Sequence, residues 1–309
     1  MKVLIVARYK EHGFAPFVTE QVQALEKTGA ECRCFPVYSK GVMGYLRQLP
    51  KLGHVLREFK PDVIHAHYGL CGLFANLQRR IPVVTTYHGS DINNPKAFEF
   101  SKIAIRRSTY NVFVSQKNID IANPPKNYAL IPCGINIEDY PIVEKLEARK
   151  RMSLNPDKKY ILFAGAFDNK VKNAPLAQEA VNLLHDNNVK LLELKGYTRT
   201  QVALLMQAAD AFLMTSVSEG SPQVIKEALA CCCPIVSVDV GDVKERIEGV
   251  DGCYLTQNCN PTEVAECLKK ALSFSGKTCG KEKLVADGLD NRQVAERLMG
   301  VYKYCHENC

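Results

Sequence analysis

Short aliphatic runs alternate along this chain with longer stretches in which apolar residues recur every three or four positions. In the first half the runs Lys2–Ala7, Glu31–Pro36, Val63–His67, Pro82–Tyr87, Tyr110–Ser115 and Tyr128–Ile131 have strand length and β-branched or aliphatic content. Between them the spacing predicts helices over Pro16–Thr28, closed by Gly29, and over Tyr45–Glu58. The second half resumes with strands at Tyr160–Gly165, Lys190–Leu194, Ala211–Thr215 and Ile235–Val238, and helices at Ala174–Asn187 and Thr200–Ala209. A last helix, Arg292–Tyr304, repeats Val294, Leu298 and Val301 on one face. Strand and helix in regular alternation predict an α/β fold with parallel sheets covered on both faces. Tyr140-Pro141, the charged stretch Glu144–Arg151 and Asn155-Pro156-Asp157 mark a linker region at Glu138–Lys159. The expected domains are 1–140 and 141–290, with 291–309 as a terminal helix.

A chain of 309 residues can form two domains of about 150 residues each. With 46% hydrophobic and 24% charged residues it has an ordinary globular composition. No apolar run approaches the roughly 18 residues that would cross a membrane. The apolar start, Met1 to Ala7, stops at Arg8-Tyr9-Lys10-Glu11, which reads as a buried first strand and not a signal peptide. Thirteen cysteines with no export signal point to a reducing, cytoplasmic setting. Cys231-Cys232-Cys233 are read as small packing residues, and Cys305, His306 and Cys309 as too weak a pattern for a metal site. The net charge of +7 suits an anionic substrate, an anionic membrane surface or a nucleic acid. Zinc-finger spacing, an RNP-like aromatic motif and a basic recognition helix are all missing, which excludes nucleic acid as a partner.

The richest segment runs from Glu219 to Glu227 through Gly220, Ser221, Pro222, Gln223 and Val224. Pro222 is expected at the first helical position with Ser221 as its cap. Gln223 and Val224 would then offer free backbone N–H groups at the positive helix end, a geometry that receives phosphate. Each glutamate can accept two hydroxyl hydrogen bonds, so each is a partner for a vicinal diol. Two such carboxylates around a phosphate site describe a nucleotide sugar, hexose at Glu219 and ribose at Glu227. Equally, a glutamate on an amphipathic helix is ordinarily a solvated face, and the turn only a turn.

The segment, with Ala209–Ser216 before it and Pro234–Asp242 after it, resembles the Glu-x7-Glu signature of retaining GT-B glycosyltransferases, glycosyltransferase family 4. That resemblance implies two Rossmann-like domains facing a central cleft, the second somewhat condensed, with the final helix returning to the first. Phe163–Asn173 is similar to the family's diphosphate-gripping loop, with Gly165 as its glycine and Lys172 as its lysine. Ala166 stands where an arginine is usual, and Lys170 is a candidate to supply the second charge. Thr85–Asp91 resembles the family's His-Gly-x-Asp loop, which implies that His88 serves the transferred sugar and that Asp91 shapes the loop. His65 and His67 share one strand face, with core hydrogen bonding and acceptor binding both open. His12–Pro16 resembles the glycine loop over the substrates, through Gly13. Gly196-Tyr197 resembles the base-binding loop, with Tyr197 to stack on the base.

The resemblance implies a retaining hexosyltransferase that uses a nucleotide-diphosphate sugar, UDP-linked in the family's commonest case. Glu219, His88 and Lys172 are its expected catalytic residues. Neither metal nor cofactor is expected, because the departing phosphate itself assists deprotonation of the acceptor. The acceptor is expected to be a growing cell-surface glycan or a lipid-linked saccharide, met at the inner face of the membrane. A sugar-nucleotide epimerase or a non-catalytic sugar-nucleotide binder are the alternatives, the latter because of Ala166. An oxidoreductase is disfavoured, since Gly-x-Gly-x-x-Gly does not follow the first strand.

Overall fold

The computed structural model describes residues 1–11, 13–38 and 41–308, apart from the Val42 side chain. His12 of the expected glycine loop and Cys309 of the rejected metal pattern lie outside the described residues. The chain divides into two compact units, 1–136 with 289–309, and 137–288. The boundaries fall a few residues before those expected, so Tyr140 belongs to the second unit, and the terminal helix Asn291–Glu307 belongs to the first.

The first unit holds a six-stranded parallel sheet of β1 (Lys2–Arg8), β2 (Glu31–Val37), β3 (Val63–His67), β4 (Val83–Tyr87), β5 (Tyr110–Phe113) and β6 (Tyr128–Leu130). Their order is β2-β1-β3-β4-β5-β6. Strand β1 shows why its sequence is almost continuously apolar. Val3, Ile5 and Ala7 pack on one face with Val18 and Leu25 of helix Pro16–Lys27 and Val294, Leu298 and Tyr302 of the terminal helix. Leu4 and Val6 pack on the other with Leu52 and Phe59 of helix Leu49–Phe59 and Phe74 of helix Gly69–Ala75. A strand buried on both faces cannot alternate apolar with polar.

The second unit holds β7 (Lys159–Phe163), β8 (Val189–Leu192), β9 (Ala211–Met214), β10 (Ile235–Val238) and β11 (Tyr254–Thr256), in the parallel order β11-β10-β9-β7-β8. Ile161, Phe163 and Leu213 pack with Ala177 of helix Ala174–Asn182 and Val264 and Leu268 of helix Pro261–Ser273.

The differences from expectation have local causes. The helix expected over Tyr45–Glu58 is two, Gly41–Leu46 and Leu49–Phe59, because Pro50 cannot continue a helix but suits the first turn of a new one. The helix expected to reach Asn187 ends at Asn182, before His185 adopts φ +51°. The charged linker segment is folded: Arg149 is buried, donates to the carbonyls of Ala208 and Pro156, and pairs with Asp210 at 2.8 Å. Its helix Lys145–Arg151 is part of the second unit.

Candidate active site

In each sheet the strand order reverses once, and crossovers on either side of that point leave a crevice beyond the carboxyl ends of the strands. In the second unit the reversal lies between β7 and β9. The loop after β7 carries Gly165 to Asn173, and the loop after β9 carries Thr215 to Pro222. The Thr215 hydroxyl, expected inside the strand, instead stitches the loops by donating to the carbonyls of Lys172 (2.9 Å) and Asn173 (3.0 Å). The Val217 N–H donates to the Val171 carbonyl. This brings Lys172 Nζ to 2.7 Å from Glu219 Oε1, an ion pair with each side chain 19% exposed. Gly165 is a spatial requirement, since a Cβ there would lie 2.8 Å from Lys172 Cγ. The far side of the loop is pinned by Phe167 N–H donating to Glu193 and by Lys195 paired with Asp168 at 2.6 Å.

The helix after this loop runs Gln223–Ala230, one residue later than expected. Pro222 occupies the cap position, and Ser221 does not cap the helix; its hydroxyl donates to Asp242 Oδ2 at 2.7 Å. Beneath lies a buried charge network. Asp242 is 3.3 Å from Arg246, which pairs with Asp287 at 2.6 Å, and the fully buried Lys226 donates to Gln223 Oε1 at 2.8 Å. Burial raises the Asp242 carboxyl, against the lowering effect of Lys226 and Arg246. Gly241, at φ +59°, lets this loop lie against Gly220, whose carbonyl would be 2.5 Å from any Cβ. Val224 is the second helical residue and half-buried.

Glu227 turns to a different set of partners. The Tyr140 hydroxyl donates to its Oε1 at 3.1 Å, and Arg199 Nε and Nη2 donate to the Tyr140 oxygen at 3.0 and 2.9 Å. Arg199 Nε is itself 4.0 Å from Glu227. Burial, and then the neighbouring Glu227 charge, hold the Tyr140 phenol well above its usual range, so it stays a donor. Sequence reasoning missed both residues. Tyr140 preceded a proline in an expected linker, and Arg199 lies just before the helix expected from Thr200. Lys170 is exposed, and Tyr197 sits 42% exposed beside Gly196 at φ +84°. The structure does not gather these two with Lys172 and Glu219.

In the first unit His88 is built into an aromatic and imidazole cluster. Its Nε2 is 3.0 Å from His67 Nδ1, its Nδ1 is 3.5 Å from Cys133 Sγ, and Phe17 and Tyr68 lie with ring centroids 4.6 Å away. Burial drives His67 down to about 3 and His65 well below its usual value. Both are therefore neutral at pH 7. His65 contacts Thr86 Oγ1 at 2.7 Å and the Tyr302 hydroxyl at 2.6 Å, tying the strand to the terminal helix. His67 Nε2 is buried without a hydrogen-bond partner. A bare lone pair there costs less than a bare N–H, which puts its proton on Nδ1, donating to His88 Nε2. His88 Nε2 is then the acceptor of this bond.

Asp91 shapes this loop, accepting from the N–H groups of His88 and Gly69, each at 2.9 Å. Burial nevertheless raises its carboxyl to about 6. Gly13, at φ +108°, closes a short turn by exchanging backbone hydrogen bonds with Lys10 at 3.0 Å. Among the described residues no group of three or more His, Cys, Asp or Glu is placed to hold a metal ion, and the described cysteines are free. No described helix is long and apolar enough to cross a membrane.

Two Rossmann-like parallel-sheet units of this kind define the GT-B glycosyltransferase fold. The comparisons agree. The chain matches the Glycosyltransferase Family 4 description over residues 7–139 and the Glycosyl transferases group 1 description over residues 191–273. Both matched stretches are thus glycosyltransferase-like, and curated relatives are named glycosyltransferases. It is 31% identical over 216 residues to the Bacillus subtilis glycosyltransferase TuaC, named for teichuronic acid biosynthesis, covering 60% of this chain. The match spans about half the length of that relative, 55%. An uncharacterized glycosyltransferase of Methanocaldococcus jannaschii is 25% identical over 320 residues, 91% of this chain and 84% of that one. Among solved structures, sucrose-phosphate synthase of Thermosynechococcus elongatus superposes with a TM-score of 0.78 at 14% identity, covering 100% of both chains. Anabaena HepE in complex with UDP gives 0.75 at 17% identity, covering 98% of this chain and 100% of that one.

Proposed function

We propose that this protein transfers a hexose from a nucleoside-diphosphate sugar, UDP-linked, to a glycan or lipid-linked acceptor with retention of anomeric configuration. The observation that carries the reading is the Lys172–Glu219 pair beside the opening of helix Gln223–Ala230, with Glu227 held by Tyr140 and Arg199 on the same helix. The HepE complex with UDP, on the same fold, supports a UDP donor. TuaC's name supports a cell-surface polymer as the acceptor's class.

In this reading the donor diphosphate takes Lys172 from Glu219 and lies against the backbone N–H groups that open helix Gln223–Ala230. That stabilises the charge that develops as the nucleotide leaves. Glu219, freed of its lysine, orients hexose hydroxyls, and Glu227 accepts from the ribose diol. Gly165 and Gly220 keep the loops close enough for backbone approach, and Ser221 and Pro222 fix the helix entry. His88 is read, from the family resemblance, as serving the transferred sugar. The leaving phosphate accepts the acceptor's hydroxyl proton, so the reaction needs no metal and no protein nucleophile. Lys170, exposed two residues before Lys172, is the candidate to swing in and supply the charge that Ala166 does not. The net charge of +7 favours work at an anionic cytoplasmic membrane face.

The fold is also that of a UDP-GlcNAc 2-epimerase, with a TM-score of 0.63. Incubating the protein with UDP-glucose, UDP-galactose and UDP-N-acetylglucosamine, with and without saccharide acceptors, separates the readings by proton NMR. Acceptor-dependent UDP release with an α-linked product is expected. Epimerised donor without acceptor, or bound donor that never turns over, would overturn transferase activity.

A further inference from the structure

The first unit has its own cavity, of about 580 Å³, at the point where its strand order reverses, between β1 and β3. Arg8 and Lys10 enter it from the end of β1, Tyr68 from the end of β3, and Ser90 and Asp91 from beyond β4. Tyr45, Leu70, Cys71 and Phe100 provide apolar and aromatic surface, and Lys96 adds a third cation.

The charge balance is one-sided. Arg8, Lys10 and Lys96 are exposed, and no carboxylate pairs with any of them among the described residues. Asp91 is the cavity's one acid, and both its oxygens already accept backbone N–H groups. It therefore offers little to neutralise three cations.

The backbone of this wall is also strained. Tyr68 adopts φ +73° and ψ 148°, a conformation that costs a bulky side chain energy and persists only where neighbours enforce it. Its N–H donates to the Thr86 carbonyl at 2.8 Å, and the next residue, Gly69, is anchored by Asp91 and has no room for a Cβ beside Ser101. The strained backbone sets Tyr68 both in the cavity lining and against the His88 ring. The cavity thus shares a wall with the residue assigned to the transfer step.

We propose that this cavity is the acceptor pocket and that it selects an acceptor carrying an anionic group, phosphate or carboxylate, beside an apolar or ring-shaped portion. The anion meets Arg8, Lys10 and Lys96, and the remainder lies against Tyr68, Tyr45 and Phe100. The assignment rests on the glycosyl-transfer reading for its role, but the binding itself does not.

Calorimetry tests it with phenyl phosphate, benzoate, decyl phosphate below its micelle concentration and the neutral phenyl glucoside. Wild-type protein is compared with the triple variant Arg8→Gln, Lys10→Gln, Lys96→Gln, which changes only exposed side chains. The anionic probes should bind saturably, at least tenfold tighter than phenyl glucoside, and the triple variant should lose that advantage while its UDP affinity stays unchanged. Preference for decyl phosphate would support a lipid-borne anion, and preference for phenyl phosphate or benzoate a soluble one. Equal binding of charged and neutral probes, or anion binding that survives in the variant, would overturn the proposal. Absent UDP binding with intact anion binding would instead defeat the donor reading and leave the pocket standing.

Discussion

The two units solve the same topological problem with different electrostatics. Both place polar residues where the order of a parallel sheet reverses. In the second unit these are formal charges at a half-open surface: Lys172 against Glu219, and Arg199 beside Glu227. In the first, the layer behind the reversal is buried, with His65 and His67 held uncharged and Asp91 raised to about 6, and its cations stand outside it at the surface. Ion pairs near solvent are worth little to stability, so Lys172 and Glu219 can exchange partners cheaply when an anionic ligand arrives. A buried hydrogen-bonded layer is costly to disturb and holds a ring such as His88 in one orientation.

The contrast is sharpest in catalysis. Lys172→Met should lower kcat by about 10²- to 10³-fold, the size of effect seen when one preorganised group facing developing charge is lost. The fold should survive, because what is removed is an exchangeable pair. Steady-state kinetics beside a thermal melt tests both halves, and a large drop in Tm with little change in kcat would break the comparison.

Asp91→Ala should do the reverse. It leaves two buried N–H groups without acceptors, at a cost of about 2–4 kcal/mol measured by urea unfolding. UDP affinity, a property of the second unit, should be unchanged.

Acid should also act on the first unit. His67 has its folded pKa depressed to about 3, so between pH 6.5 and 3 the unfolded chain binds the extra proton and stability is lost as pH falls. The full shift is worth up to about 5 kcal/mol. Asp91 has the opposite sign: its folded pKa is raised, so acidification from about 6 to 4 returns up to about 3 kcal/mol. His65 adds to the loss, so the net effect is acid destabilisation. His67→Gln should flatten the dependence of the unfolding midpoint on pH, and an unchanged profile would count against a neutral, buried His67.

The smallest effects belong to the supports. Tyr140→Phe removes one hydrogen bond to Glu227, about 1 kcal/mol or roughly fivefold in donor affinity by calorimetry. Gly165→Ala should cost a similar amount by displacing Lys172, whose flexible stem can partly yield.

The strands were legible because a parallel strand covered on both faces leaves a dense aliphatic run, as in Val3 to Ala7. Glu219 with Glu227, and Gly165 with Lys172, could be picked out because each pair's spacing is local, the first along the loop and helix after β9 and the second within the loop after β7; that Lys172 meets Glu219 only the fold shows. Ser221 was not, since its partner Asp242 is 21 residues away and draws the hydroxyl from the cap. Tyr140 and Arg199 were hidden for the same reason: Tyr140 reaches Glu227 across 87 positions of chain and Arg199 comes from a different helix, a meeting that only the fold creates. Nor does sequence reveal that Lys226 is fully buried, because a lysine on an amphipathic helix ordinarily faces water.

The most direct test of the donor site is calorimetric titration of UDP, with GDP as a control, into wild-type protein and Glu227→Ala. The account predicts saturable UDP binding that weakens at least tenfold in the variant, while the variant's melting temperature stays within a few degrees of wild type. UDP binding of equal strength in both proteins, or none in either while both are folded, would contradict it.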